Sequence, residues 1–123
     1  MERRPFVLLA LLAASLFSSC LTGCGLFRRT DREANLRKEL TTMRLAIEEY
    51  ACDREQLPHT LQELMDAKYL KEIPIDPMTR HNDWQLDFDP GGAAESKEGA
   101  KGIVSVHSNS AEIGTNGLPY SSW

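Results

Sequence analysis

Three histidines, three cysteines and eighteen acids are the groups in this chain with the capacity for chemistry. His59, His81 and His107 share no metal-ligand spacing. His107 stands beside Ser105 and Ser108, but no nucleophile elbow or oxyanion motif accompanies it. Asp87, Asp89, Gly92, Glu95 and Glu98 occupy positions 1, 3, 6, 9 and 12 of a twelve-residue calcium loop. Position 5 is Gly91, where an oxygen donor is expected, and strand patterns flank the run where helices are required. A solvated hairpin loop is the expectation there. Asp76, before Pro77, reads as a turn residue. Cys52 is the one cysteine outside the amino-terminal apolar run, so it has no internal disulfide partner. It follows a helical apolar stripe and is expected to be a buried small hydrophobe. No Gly-rich phosphate loop is present. These groups do not converge on a catalytic set, and the chain reads as a non-enzyme with no cofactor.

The amino terminus predicts the compartment. Arg3 and Arg4 precede an uncharged run from Pro5 to Phe27, within which Phe6–Phe17 is strongly apolar. A basic start, a short apolar stretch and small residues before a cut site make a secretory signal. Leu21-Thr22-Gly23-Cys24 resembles the lipobox of bacterial lipoproteins. That resemblance implies cleavage after Gly23 and acylation of the Cys24 thiol. The alternative is an uncleaved anchor, because residues 5–27 as a helix would reach about 34 Å, enough for a ~30 Å hydrocarbon core. Both readings place the remainder in the cell envelope, membrane-anchored, with the domain in the periplasm. The expected organisation is a signal or anchor over 1–23, a tether over 24–33 and a folded domain over 34–123.

The chain has 123 residues and a formal net charge of −4, which disfavours a nucleic-acid binder with a basic surface. Leu36, Leu40, Met43, Ile47 and Tyr50 are spaced by four and three residues, the face of an amphipathic helix from Asp31 to about Cys52. Thr30 or Asp31 is its expected cap, with Glu33 in the first turn. Thr60-Leu61-Gln62-Glu63 has the pattern of a capping box and predicts a short second helix with Leu61, Leu64 and Met65 on its apolar side. Pro74 and Pro77 hold the following residues out of helical conformation. Trp84, Leu86 and Phe88 alternate with polar residues as one face of a strand, and 102–107 reads as a second strand. Ser108–Leu118 reads as a loop, after which Trp123 returns to the core. Helices followed by strands predict a segregated α+β fold.

In this order the residues resemble a known family. The long helix, Tyr50, Asp53 and Leu57-Pro58, the Leu-rich short helix, and above all Tyr69-Leu70-Lys71-Glu72-Ile73-Pro74-Ile75-Asp76-Pro77-Met78-Thr79 are similar to the protein G family of type II secretion systems, the major pseudopilins. The segment from Ser105 through Gly114 and Gly117 to Tyr120 and Trp123 resembles that family's closing strand and loop. The resemblance covers roughly residues 34–123. It implies a pilin-like fold, a long helix on a small antiparallel sheet, and a structural role in a periplasmic fibre through contacts with other pseudopilins or secretion-apparatus proteins. The family's prepilin-peptidase motif, Gly before Phe-Thr-Leu-x-Glu, has no counterpart in residues 5–27, where the lipobox stands instead. The resemblance also implies calcium in the carboxy-terminal loop. Glu112 is the one acid between Ser108 and Tyr120, with Asn109 and Asn116 as neutral donors. Glu112 and Asn116 are therefore weak calcium candidates, and metal is not expected. Arg37, Arg44 and Glu48, alternating in sign on the polar side of the long helix, are the expected partner contacts. The other reading of the role is a free-standing envelope lipoprotein that uses such a domain as a binding module.

Overall fold

A long helix, α1 (Cys20–Arg54), leads the described residues. The computed structural model describes residues 20–90 and 101–123. Residues 1–19 of the signal or anchor expected over 1–23, and the Gly92, Glu95 and Glu98 part of the calcium-loop pattern, lie outside the described residues, as does the side chain of Cys24. α1 does not begin at Thr30 or Asp31. It runs through both, and residues 24–33, read from the sequence as a tether, are helical. The Thr30 hydroxyl donates to the Phe27 carbonyl, 2.9 Å away within the same helix, instead of capping a new one.

The core belongs to a unit spanning Glu33–Trp123. The stripe read from the sequence is buried throughout: Leu36, Leu40, Met43, Ile47 and Tyr50, joined by Ala46. Leu45, Glu48, Glu49 and Cys52 lie on the exposed side. Cys52 is thus not a core residue. At 100° per residue it sits about 200° around the helix from Tyr50, away from the stripe. α1 ends at Arg54, and Glu55 takes the left-handed conformation at φ 55°, which turns the chain toward Leu57 and buried Pro58. The Pro58 carbonyl accepts from the Ile103 N–H at 2.7 Å. Gly102 must be glycine at this crossing, because a Cβ there would meet the Leu57 Cβ at 2.3 Å.

α2 (Leu61–Asp66) is capped as its sequence predicts. The Thr60 hydroxyl oxygen accepts from the Glu63 N–H at 3.2 Å. The Glu63 carboxylate reaches back one residue beyond the cap and accepts from the His59 N–H at 2.9 Å. Leu61 and Leu64 are buried. The far end closes with Tyr69 N–H to the Leu64 carbonyl and Lys68 N–H to the Met65 carbonyl, a Schellman arrangement with Lys68 at φ 66° where glycine is usual. Leu70 is buried, and Tyr69 packs edge-on to Tyr50 with ring centres 5.5 Å apart. The proline segment then crosses to the sheet, and the Trp84 indole N–H donates to the Pro74 carbonyl at 2.8 Å.

β1 (Gln85–Phe88) and β2 (Ile103–His107) pair antiparallel, Gln85 with His107 and Leu86 with Val106. The register shifts between Asp87 and Phe88, which pair with Ser105 and Ile103. Val104 is the extra residue of this bulge. The shift explains two departures from simple alternation. Ile103 and Val106 are both buried although three residues apart, and Phe88, expected inward with Trp84 and Leu86, is 42% exposed. Beyond β2, Ile113 bridges to Pro119, and a single 3₁₀ turn over Tyr120–Ser122 places Tyr120 in the core. The architecture is α+β: a long helix with a small two-stranded antiparallel sheet.

Candidate functional site

Among the described residues, Glu33, Asp76 and half-buried Arg44 each make a polar tie between distant parts of the chain. The first joins α1 to the carboxy-terminal loop. Glu33 is 1% exposed. Its Oε1 accepts from the Thr115 N–H at 2.9 Å and the Tyr120 hydroxyl at 2.7 Å, and its Oε2 accepts from the Thr115 hydroxyl at 2.5 Å. The second ties the proline segment to the end of β2. Buried Asp76 accepts from the Met78 N–H at 2.8 Å through one oxygen and from the Ser108 hydroxyl at 2.5 Å through the other. The first of these bonds makes Asp76 the turn residue its place before Pro77 predicts.

The third tie is built on Arg44. Its Nη2 donates to the Val106 carbonyl at 2.8 Å and to the Trp123 main-chain oxygen at 2.6 Å. His107 Nδ1 meets that same oxygen at 2.5 Å, and its Nε2 meets Asp87 Oδ2 at 2.8 Å. Arg44 Nε and Trp123 Nε1 are buried donors with no acceptor among the described residues. Arg44, expected as a surface contact, is therefore an internal clamp. It flanks the apolar stripe closely enough for its long side chain to reach across to Val106 of β2 and to Trp123, whose main-chain oxygens receive it. The His107–Asp87 pair holds no nucleophile: the ring is occupied by a carboxylate and a main-chain oxygen.

Arg37 and Glu48 do lie on the exposed side of α1. The Arg37 guanidinium stacks 4.3 Å over the Trp123 ring. Beside this face runs a cleft of about 560 Å³, lined by Lys38, Glu39 and Thr42 of α1 and by residues 70–75. Ile75 at its rim is 64% exposed and Leu45 on the helix is 52% exposed, so the open face combines charge with isolated apolar side chains. The calcium candidates do not converge. Glu112 is exposed, and the Asn116 side-chain oxygen accepts from the Leu118 N–H at 3.0 Å. Among the described residues no group of three or more His, Cys, Asp or Glu is placed to hold a metal ion.

Comparison with known proteins yields no match among family models, curated proteins or solved structures. The functional reading therefore rests on the residues themselves. Among the described residues no helix is long and apolar enough to cross a membrane.

Among the described residues, half-buried Tyr69 and exposed Asp83 are shifted from their ordinary values. The Tyr69 hydroxyl donates to Asp53 at 2.8 Å, and this carboxylate partner raises the tyrosine above its usual range. Hydrogen bonds from Thr79 and Asn109, at 2.5 and 3.1 Å, hold the Asp83 carboxyl below the aspartate value. Because the folded value is depressed, whatever stability Asp83 contributes is present above the ordinary aspartate pKa and lost as pH falls through the folded one. Thr79→Val is expected to move the Asp83 carboxyl titration, followed by carbon NMR, upward toward the usual value. An unmoved titration would show that the hydroxyl does not set it.

Proposed function

We propose that this chain is a membrane-tethered, pseudopilin-like structural component of a type II secretion or pilus-like apparatus, acting by protein–protein contact without turnover chemistry. The observation that carries this reading is the way Tyr69–Thr79 bridges the elements. Tyr69 and Leu70 seal against α1, Pro74 receives the indole of Trp84, and Asp76 fixes the turn that leads into the sheet. The segment with the most specific resemblance to the major pseudopilins thus makes the junction that a pilin-like helix-on-sheet fold requires. The polar clusters are spent on internal ties, which fits a scaffold better than a catalyst. The exposed side of α1, with Arg37, Leu45 and Glu48, is a surface open to partners.

Leu21-Thr22-Gly23-Cys24 favours a second reading, a free-standing envelope lipoprotein that binds through the same face. One experiment separates the two. A photo-activated crosslinker at Glu48 in intact cells is expected to capture secretion-apparatus proteins or other pseudopilins. Recovery of only unrelated envelope proteins would replace the first reading with the second. Mass spectrometry of the same membrane fraction is expected to find an acylated Cys24 as the new amino terminus, and a chain still beginning at Met1 would remove the lipid anchor from both.

A further inference from the structure

We propose that Glu33 is the positioning residue of the 112–119 loop, and that this carboxylate, rather than a bound cation, sets the loop's shape. The loop is unusual in being exposed yet tightly organised. Glu112, Ile113, Thr115, Asn116, Gly117 and Leu118 all face solvent, and Ile113 and Leu118 are 52% and 54% exposed. Burial of its own side chains therefore cannot hold it. Internal bonds fold it into a short hairpin: Gly114 N–H to the Leu118 carbonyl, Gly117 N–H to the Gly114 carbonyl, and Tyr120 N–H to the Glu112 carbonyl. Gly117 supplies the left-handed turn at φ 80°. Gly114 lets the hairpin lie against the aromatic pair, since a Cβ there would meet the Trp123 ring at 2.6 Å.

These bonds close the hairpin but do not fasten it to the domain. Glu33 supplies a polar attachment beside the packing of buried Gly114, taking one backbone N–H and two hydroxyls from Thr115 and Tyr120. A carboxylate with several donors is a strong organiser, because hydrogen bonds to a charged acceptor contribute more than neutral ones. A cation would need several converging charged oxygens, and here Glu112 is the one carboxylate of the loop, with no group of three or more His, Cys, Asp or Glu placed to hold a metal among the described residues. The consequence is that Ile113 and Leu118 are displayed in a fixed geometry before any partner arrives. The loop's position is coupled to the register of α1 at Glu33.

Hydrogen exchange on the full chain in detergent tests this directly. In Glu33→Ala the Thr115 amide is expected to exchange about 10- to 100-fold faster, the loss of a charge-assisted hydrogen bond, while amides of β2 and the middle of α1 change far less. Glu33→Gln, which keeps one carbonyl for the Thr115 N–H but loses the charge and the second acceptor oxygen, is expected to fall between Glu33→Ala and the unaltered chain. Calcium at 1 mM is expected to restore nothing in Glu33→Ala. Unchanged exchange at Thr115, an equal acceleration across the whole domain, or rescue by calcium would each overturn the proposal. If Glu33→Ala does not fold, Thr115→Val and Tyr120→Phe each remove one hydroxyl donor. Both are expected to loosen the loop alone, and loop protection unchanged in both would refute it.

Discussion

Leu40→Ala is expected to lower the free energy of unfolding by about 2–5 kcal/mol, the range for truncating a fully buried leucine. Leu40 is 2% exposed and lies mid-stripe between Leu36 and Met43, both wholly buried. These residues share one cluster with Leu64 of α2, Trp84, Ile103 and Val106. The truncation removes apolar area and leaves a cavity, because neighbours anchored on three different elements cannot all move in to fill it. Leu45→Ala is the matched control, since that leucine is 52% exposed on the other side of the same helix. Its effect is expected within about 0.5 kcal/mol, as for surface sites generally, and alanine's helix propensity offsets part of any loss. Urea denaturation of both variants measures the difference. A Leu40→Ala change below about 0.5 kcal/mol would mean that the stripe does not carry the core.

Much of this architecture is legible in the sequence because it depends on local spacing. The four-and-three rhythm from Leu36 to Tyr50 specifies a face, Thr60 and Glu63 specify a cap, and Pro74 and Pro77 forbid helix between the second helix and the first strand. What was illegible depends on partners far along the chain. Thr30-Asp31 reads as a helix start because those residues favour caps. A cap forms only where the preceding backbone leaves the helix, and no residue between Gly25 and Thr30 forces that. The strand alternation of Trp84, Leu86 and Phe88 holds until the bulge at Val104, and a single extra residue in the partner strand is invisible in the first strand's own pattern. Glu33 is the instructive miss. It stands three residues before Leu36, on the apolar stripe itself, and an acid at such a position needs donors. Its donors, Thr115 and Tyr120, are more than eighty residues away, so the position signals a buried tie without revealing the other end.

Arg44→Glu is expected to destabilise the domain by about 2–4 kcal/mol, whereas Arg37→Glu should cost about 1 kcal/mol or less. The two arginines look alike in the sequence, seven residues or about two helical turns apart, with Glu48 four residues further on. Arg37 is exposed, and its recorded contact is a stack over the Trp123 ring, worth about 0.5–1 kcal/mol at exposed sites. Arg44 is half-buried and supplies two main-chain oxygens, those of Val106 and Trp123, with their donor. Charge reversal would place a carboxylate among oxygens, beside Asp87 across His107, and remove the guanidinium from both oxygens, leaving His107 alone at that of Trp123. Arg44→Met separates the causes, because it keeps the apolar stem and removes only the donors; it is expected to recover part of the loss. The comparison also decides how partner mapping must be done. A loss of crosslinking in Arg44→Glu reports a loosened sheet and Trp123 segment, while a loss in Arg37→Glu at unchanged stability reports the contact surface. Equal stability of the two charge reversals, measured by denaturation, would put Arg44 back on the surface and return it to the set of partner contacts.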